Sequence, residues 1–155
     1  SNVLWIEKTR VGTAITQSAD LRYIDGSGEA TMGGKFPDGA RIMIIDDFTN
    51  SGSTLFGCAA ILRPRIGGAT TVGAFVSHLV AGYRREKVRA IVDQLYAEDC
   101  PLDTLVTTDS NATVATWLEE ELANRPAPPK ASLMPIAPLL AAWLRASALA
   151  SDAKL

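Results

Sequence analysis

Four times between residues 41 and 149 a short apolar run gives way to a longer segment with apolar residues at helical spacing. Few folds accommodate that order. Ile42-Met43-Ile44-Ile45 leads into a helix over 53–62, and residues 71–76 lead into one over 82–97, where Val88, Ile91, Val92 and Leu95 repeat at helical spacing. Residues 104–107 precede a helix over 113–123, and 131–134 precede one over 136–149. Arg63-Pro64-Arg65 stops the first helix, and 124–130, with Pro126, Pro128 and Pro129, reads as a connector. Alternation of this kind predicts an α/β fold: a doubly wound parallel sheet with right-handed crossovers and helices on both faces. A strand covered on both faces needs no polar alternation, which suits the unbroken run 42–45.

At 155 residues and 47% hydrophobic content, the chain has material for one buried core, a single domain over 1–150 with a tail at 151–155. Before residue 41 the pattern is different. A polar, glycine-bearing stretch over 12–39 holds β-like pieces at 21–24 and 29–32, and Asp25-Gly26-Ser27-Gly28 between them predicts an N-terminal hairpin or flap. A net charge of −2 gives no general basic surface, so nucleic acid is not an expected partner. Cys58 and Cys100 form no CxxC pair, no run reaches the roughly 20 apolar residues of a membrane span, and no signal core opens the chain. These features predict a reduced, cytoplasmic protein with no membrane contact. Ser1-Asn2 reads as a tag remnant, and Val3-Leu4-Trp5-Ile6 enters a strand with no lead-in. Four parallel strands are lean for a doubly wound sheet, so the expectation is a piece of a longer protein.

The first unit carries the most chemistry. The strand over 42–45 ends in Asp46 and Asp47, at the carboxyl edge where open α/β sheets bind ligands. Thr49, Asn50, Ser51, Gly52, Ser53 and Thr54 then open a helix, offering backbone N–H groups and hydroxyls where the helix dipole favours an anion. Sugar hydroxyls or a metal suit the acids; phosphate suits the loop. Aspartates are also common in turns and caps, and the attached loop is what favours a site. His78, the sole histidine, follows an apolar strand at the ligand-binding edge and reads as a satisfied core or loop residue, and with no second His or nearby Cys a zinc site is not expected. Asp109 and Ser110 fit better as the N-cap of the next helix than as cleft residues. Arg84, Arg85, Lys87 and Arg89 read as a solvated face, with an allosteric phosphate site or subunit contact as the alternative. Trp5, Trp117 and Trp143 are expected in core or interface.

The run from Asp46 to Thr54 resembles the signature of phosphoribosyltransferases: apolar strand, two acids, an apolar residue, then a threonine- and glycine-rich turn. Three further segments, together with Ile6-Glu7-Lys8-Thr9-Arg10, make the chain resemble the C-terminal half of ribose-phosphate pyrophosphokinase, also called phosphoribosyl pyrophosphate synthetase. Lys8 and Arg10 are similar to that family's Lys-x-Arg at the base of a catalytic flap. Ser77-His78 before Ala81-Gly82 resembles its strand ending in Thr-His, and Thr107-Thr108-Asp109-Ser110 its next strand end. Met134-Pro135-Ile136-Ala137 resembles the opening of its last helix.

The resemblance implies a homo-oligomeric enzyme transferring pyrophosphate from ATP to ribose 5-phosphate, with Mg²⁺ as cofactor. It implies that Asp46 and Asp47 take the ribose hydroxyls, directly or through Mg²⁺, and that Thr49, Asn50, Ser51, Gly52, Ser53 and Thr54 hold the 5-phosphate or phosphoribosyl pyrophosphate. Lys8 and Arg10 would close as catalytic lid residues, with Gly12 and the stretch behind it supplying mobility, and most of the ATP site would lie outside this chain. One departure is plain: the family's loop begins with an acid where this chain has Asn50. Two alternatives follow, a phosphoribosyltransferase of nucleotide synthesis or salvage and a catalytically silent regulatory homologue.

Overall fold

The computed structural model describes residues 4–11, 14–25, 28–32, 36, 38–66 and 71–152, with side chains over 6, 22, 36, 38–66 and 71–146. Two sheets form. Strands β1 (Leu4–Val11), β2 (Ala14–Asp25) and β3 (Gly28–Met32) make an antiparallel sheet in that order. The Asp25–Gly28 pair closes the expected hairpin, whose Gly26 and Ser27 lie outside the described residues, as does Gly12. The hairpin is not alone, because β1 pairs along β2 from Leu4–Tyr23 to Val11–Ala14. Polar residues such as Thr16, Gln17 and Ser18 hide β2 from any reading by hydrophobic period.

The second sheet is parallel, in the order β4-β5-β6-β7: β4 (Arg41–Thr49), β5 (Thr71–Leu79), β6 (Thr104–Thr108) and β7 (Ala131–Met134). Helices α1 (Ser53–Leu62), α2 (Arg85–Leu95) and α3 (Ala112–Ala123) are the crossovers, and α4 (Ile136–Asp152) follows β7. The α/β class with a parallel sheet is therefore as expected. The distribution of helices differs. When strands follow one another across a sheet in sequence order, right-handed crossovers pass the same face each time. Burial agrees with that. Val72, Ala74 and Val76 of β5 are fully buried, and Ile42, Ile44, Leu105 and Ala131, in register with them on the same face, join a cluster with Leu55, Phe56, Val88, Val92, Val114 and Leu118 of α1 to α3. On the opposite face Met43 is 53% and Ile45 74% exposed, so the run 42–45 is not covered on both sides. Its unbroken apolar character does not mark two-sided cover in these residues; β4 is an edge strand.

Strands β4 and β5 also outrun the sheet. Both continue to Thr49 and Leu79, whereas β6 pairs with β5 only from Gly73 to Val76, so a two-stranded ribbon carries Asp46 to Thr49 to the carboxyl edge. The acids lie inside the strand and not beyond its end. At the opposite edge, Arg63 at the end of α1 donates to the Pro101 carbonyl (2.7 Å) and to Asp103 Oδ1 (2.7 Å), while Asp103 Oδ2 accepts the Val72 N–H (2.7 Å). That clamp ties α1 to β5 and to the loop before β6. Along α4, Leu139, Leu140, Trp143 and Leu144 are exposed. No helix is long and apolar enough to cross a membrane among the described residues.

The basic run on α2 is engaged, in part, by a partner distant in sequence. Glu121 of α3, 7% exposed, accepts from Arg85 Nε (3.3 Å) and from Arg89 Nε and Nη2 (3.2 Å each), and Arg85 also pairs with Glu120 (2.8 Å). These two arginines stay exposed, as a solvated face would be, and also compensate the Glu121 charge where α2 packs on α3. The hydrogen bond from Arg89, first, holds the Glu121 carboxyl below its usual range, against the opposing effect of burial. A carboxyl lowered in the folded state adds stability above its unfolded value, and that stability is lost as pH falls through the folded value. Urea midpoints of the wild type should therefore drop more steeply on acidification below about pH 4 than those of Glu121→Gln. Parallel slopes would show that the clasp contributes no pH-dependent stability.

Candidate functional site

Two features let β4 turn into α1 within three residues. Gly52 adopts φ +74°, ψ −6°, the left-handed region that an L side chain rarely occupies, and a Cβ there would meet the Phe56 ring at 2.6 Å. Thr49, 5% exposed, accepts the Gly52 N–H on Oγ1 at 3.0 Å. The hydroxyl therefore closes the turn from inside. Ser51 Oγ and Ser53 Oγ lie 3.1 Å apart at the exposed surface, and the Gly52 carbonyl accepts the Phe56 N–H to start the helix. Gly52 at the N-cap has no side chain to cap α1, and Ser51 Oγ makes only a long contact with the Ser53 N–H (3.5 Å). Its first turn thus presents the positive end of the helix dipole beside two exposed hydroxyls, an arrangement suited to an oxyanion.

The acids flank this turn differently. Alternation along β4 directs Asp46 to the helix-bearing face with Ile44, and Asp47 to the opposite face. Each spends one oxygen locally: Asp46 Oδ1 accepts the Asp47 N–H (3.1 Å) and Asp47 Oδ1 the Phe48 N–H (2.9 Å). Among the described residues, no hydrogen bond engages the second oxygen of either. Three or more acidic, His or Cys side chains that could together hold a metal occur nowhere among the described residues. Asp46 and Asp47 would suit Mg²⁺ only with phosphate and water oxygens completing its shell.

The comparisons stand as follows. No protein-family model matches the chain, and no curated protein does. Among solved structures, the chain is similar to the crystal structure of phosphoribosylpyrophosphate synthetase from Mycobacterium smegmatis, with 22% identity and a TM-score of 0.45. That match covers 79% of this chain, which spans 34% of the other.

Behind the turn, the end of β5 forms a second wall. The Thr49 carbonyl accepts the Val80 N–H (3.0 Å), and Asn50 Oδ1 accepts the Gly82 N–H (3.1 Å). Ala81, Gly82 and Tyr83 are all left-handed, at φ 47°, 55° and 53°. Two non-glycine residues in that region are sparsely tolerated, and such outliers gather at ligand sites and switches. Ala81 is fully buried while Tyr83 is 69% exposed. Asn50 thus acts through its side chain as the strut joining the 49–54 turn to the strained one.

The remaining expectations divide. His78 lies on this edge, with Nδ1 2.7 Å from Ser110 Oγ. Asp109 and Ser110 do not cap α3. Asn111 does, its side chain accepting the Val114 N–H (3.3 Å), while Asp109 accepts the Ile136 N–H (2.8 Å) at the start of α4. Capping was legible in kind but displaced by one residue, since three successive residues here can all accept. Lys8 and Arg10 lie in β1, paired with Gln17 and Ile15, and their side chains are outside the described residues. Burial pushes the Cys100 thiol up, which disfavours its thiolate. Gly52→Ala should lower stability by at least about 1 kcal/mol, since left-handed strain adds to the Phe56 clash. Chemical denaturation measures it; an unchanged midpoint would mean the turn tolerates a Cβ.

Proposed function

We propose that the turn over 49–54 holds the phosphate of ribose 5-phosphate and that Asp46 and Asp47 take its hydroxyls, in an enzyme of the ribose-phosphate pyrophosphokinase type. The observation that carries this is the uncapped α1 start, shaped by Gly52 and Thr49, directly after two carboxylates that each keep an oxygen for a ligand. The ordered resemblance of the other strand ends supports the reaction class. In that reaction the 1-hydroxyl oxygen of the sugar bonds to the β-phosphorus of ATP, the bond from that phosphorus to the α–β bridging oxygen breaks, and AMP leaves as the hydroxyl proton is lost. Such transfer asks a protein for positioning and charge neutralisation.

Division of labour follows from the geometry. A phosphate seated on the helix start would fix one end of the sugar, and the carboxylates would orient its ring so that the reacting hydroxyl is exposed to the second substrate. Mg²⁺, when bound, would neutralise charge on the transferring phosphates, and Asp46 and Asp47 are the residues that would hold it. Lys8 and Arg10 are proposed as lid cations. A second reading, a catalytically silent homologue, is favoured by one observation: Asn50 is neutral and its Oδ1 is taken by the Gly82 N–H. A gain in rate with Asn50→Asp would identify that amide as what limits activity.

Calorimetry with ribose 5-phosphate and Mg²⁺ should show one site, and Asp46→Asn and Asp47→Asn should each weaken the sugar phosphate by about tenfold or more while sparing inorganic phosphate. Equal loss for both ligands would assign the acids to something other than sugar hydroxyls. Release of AMP from ATP by the full-length gene product, dependent on ribose 5-phosphate and Mg²⁺, tests the reaction; a folded protein without that turnover would sink the pyrophosphokinase reading.

A further inference from the structure

His78 is the single histidine of the chain, and its position opposite Phe48 in the parallel register places it on the same sheet face as Asp46. Its ring is held by a short hydrogen-bonded chain. Nδ1 is 2.7 Å from Ser110 Oγ, and Ser110 Oγ is 3.2 Å from the Ser77 carbonyl oxygen. A hydroxyl has one hydrogen, and a carbonyl can only accept. With the Ser110 hydrogen directed at Ser77, whose other lone pair takes the Thr108 hydroxyl, Ser110 would turn a lone pair toward His78. Nδ1 would then carry the ring hydrogen. In the neutral ring Nε2 is left as an acceptor, and it has no protein partner among the described residues.

An acceptor at this place discriminates. Phosphate oxygens would repel the Nε2 lone pair, whereas a hydroxyl would donate to it. We propose that His78 accepts, on Nε2, a hydrogen bond from a hydroxyl of the bound sugar, and that Ser110 is the positioning residue that holds the ring in the required tautomer. This deepens the sugar-phosphate reading and rests on it. Asp46 lies two residues before Phe48, the register partner of His78, so the two side chains are diagonal neighbours on one face. The resemblance to a strand end in Thr-His assigned no such role; the Ser110–Ser77 contact is what motivates it.

A lone histidine gives one imidazole in a ¹⁵N spectrum, so its tautomer can be read directly at about pH 8, above the range where imidazoles ordinarily titrate. The wild type should show hydrogen on Nδ1, Ser110→Thr should keep it there, and Ser110→Ala should lose that preference. Ribose 5-phosphate should shift the Nε2 resonance, while inorganic phosphate alone, seated on the loop, should not. In calorimetry His78→Ala should weaken ribose 5-phosphate about five- to tenfold and change phosphate affinity less than about twofold. Hydrogen on Nε2 in the wild type, an equal Nε2 shift with phosphate alone, or unchanged sugar-phosphate affinity in His78→Ala would each overturn the inference. Failure of the wild type to bind either ligand would overturn the sugar-phosphate reading and this inference together, and would be distinguished by the silent loop amides.

Discussion

The turn at Gly52 decides how the rest of the site can exist. A nine-residue strand must reverse into a helix within three residues, and only a left-handed residue without a Cβ lets Phe56 pack back under that reversal. Thr49 makes the turn a closed unit by taking the Gly52 N–H on its buried hydroxyl. With the helix start fixed there, its dipole, the exposed serines and the two acids arrive at one edge of the sheet. Any side chain at position 52 would push Phe56 out of the core or move the helix start, so the turn depends on the absence of a Cβ there.

That edge is also extended. Because β4 and β5 run on past the end of β6, the acids and His78 project on a two-stranded ribbon above the helices. Asn50 joins the ribbon's turn to the left-handed segment Ala81 to Tyr83, and Ser110 reaches His78 from the next strand end. Every crossover loop on this side therefore contributes to one surface, as ligand sites of open α/β sheets do. Below it, the one-sided core of α1 to α3 and the Glu121 clasp hold the helices that carry those loops.

Hydrophobic period made much of this legible. The bounds of α1 and β7 could be read from the chain because apolar runs and Arg63-Pro64-Arg65 mark them clearly. Strand ends were harder, since Asp46, Asp47, Ser77 and His78 break the apolar pattern while their backbones keep pairing. The one-sided cover of Met43 and Ile45 was hidden because an edge strand and a sandwiched strand can share the same apolar run. Long-range partners left no local trace: nothing near Arg85 or Arg89 announces Glu121, and nothing near His78 announces Ser110. The acid-and-loop motif was readable because its chemistry lies in consecutive residues, whereas the contact of His78 with Ser110 joins two strand ends distant in sequence.

The most direct measurement is a backbone ¹⁵N titration with ribose 5-phosphate. Amides of residues 53–55 in the first turn of α1 should shift most and saturably, with Asp46 and Asp47 following and the starts of α2 and α3 unmoved. Shifts centred on another helix start, or none at saturating ligand, would contradict the assignment of this turn as the phosphate seat.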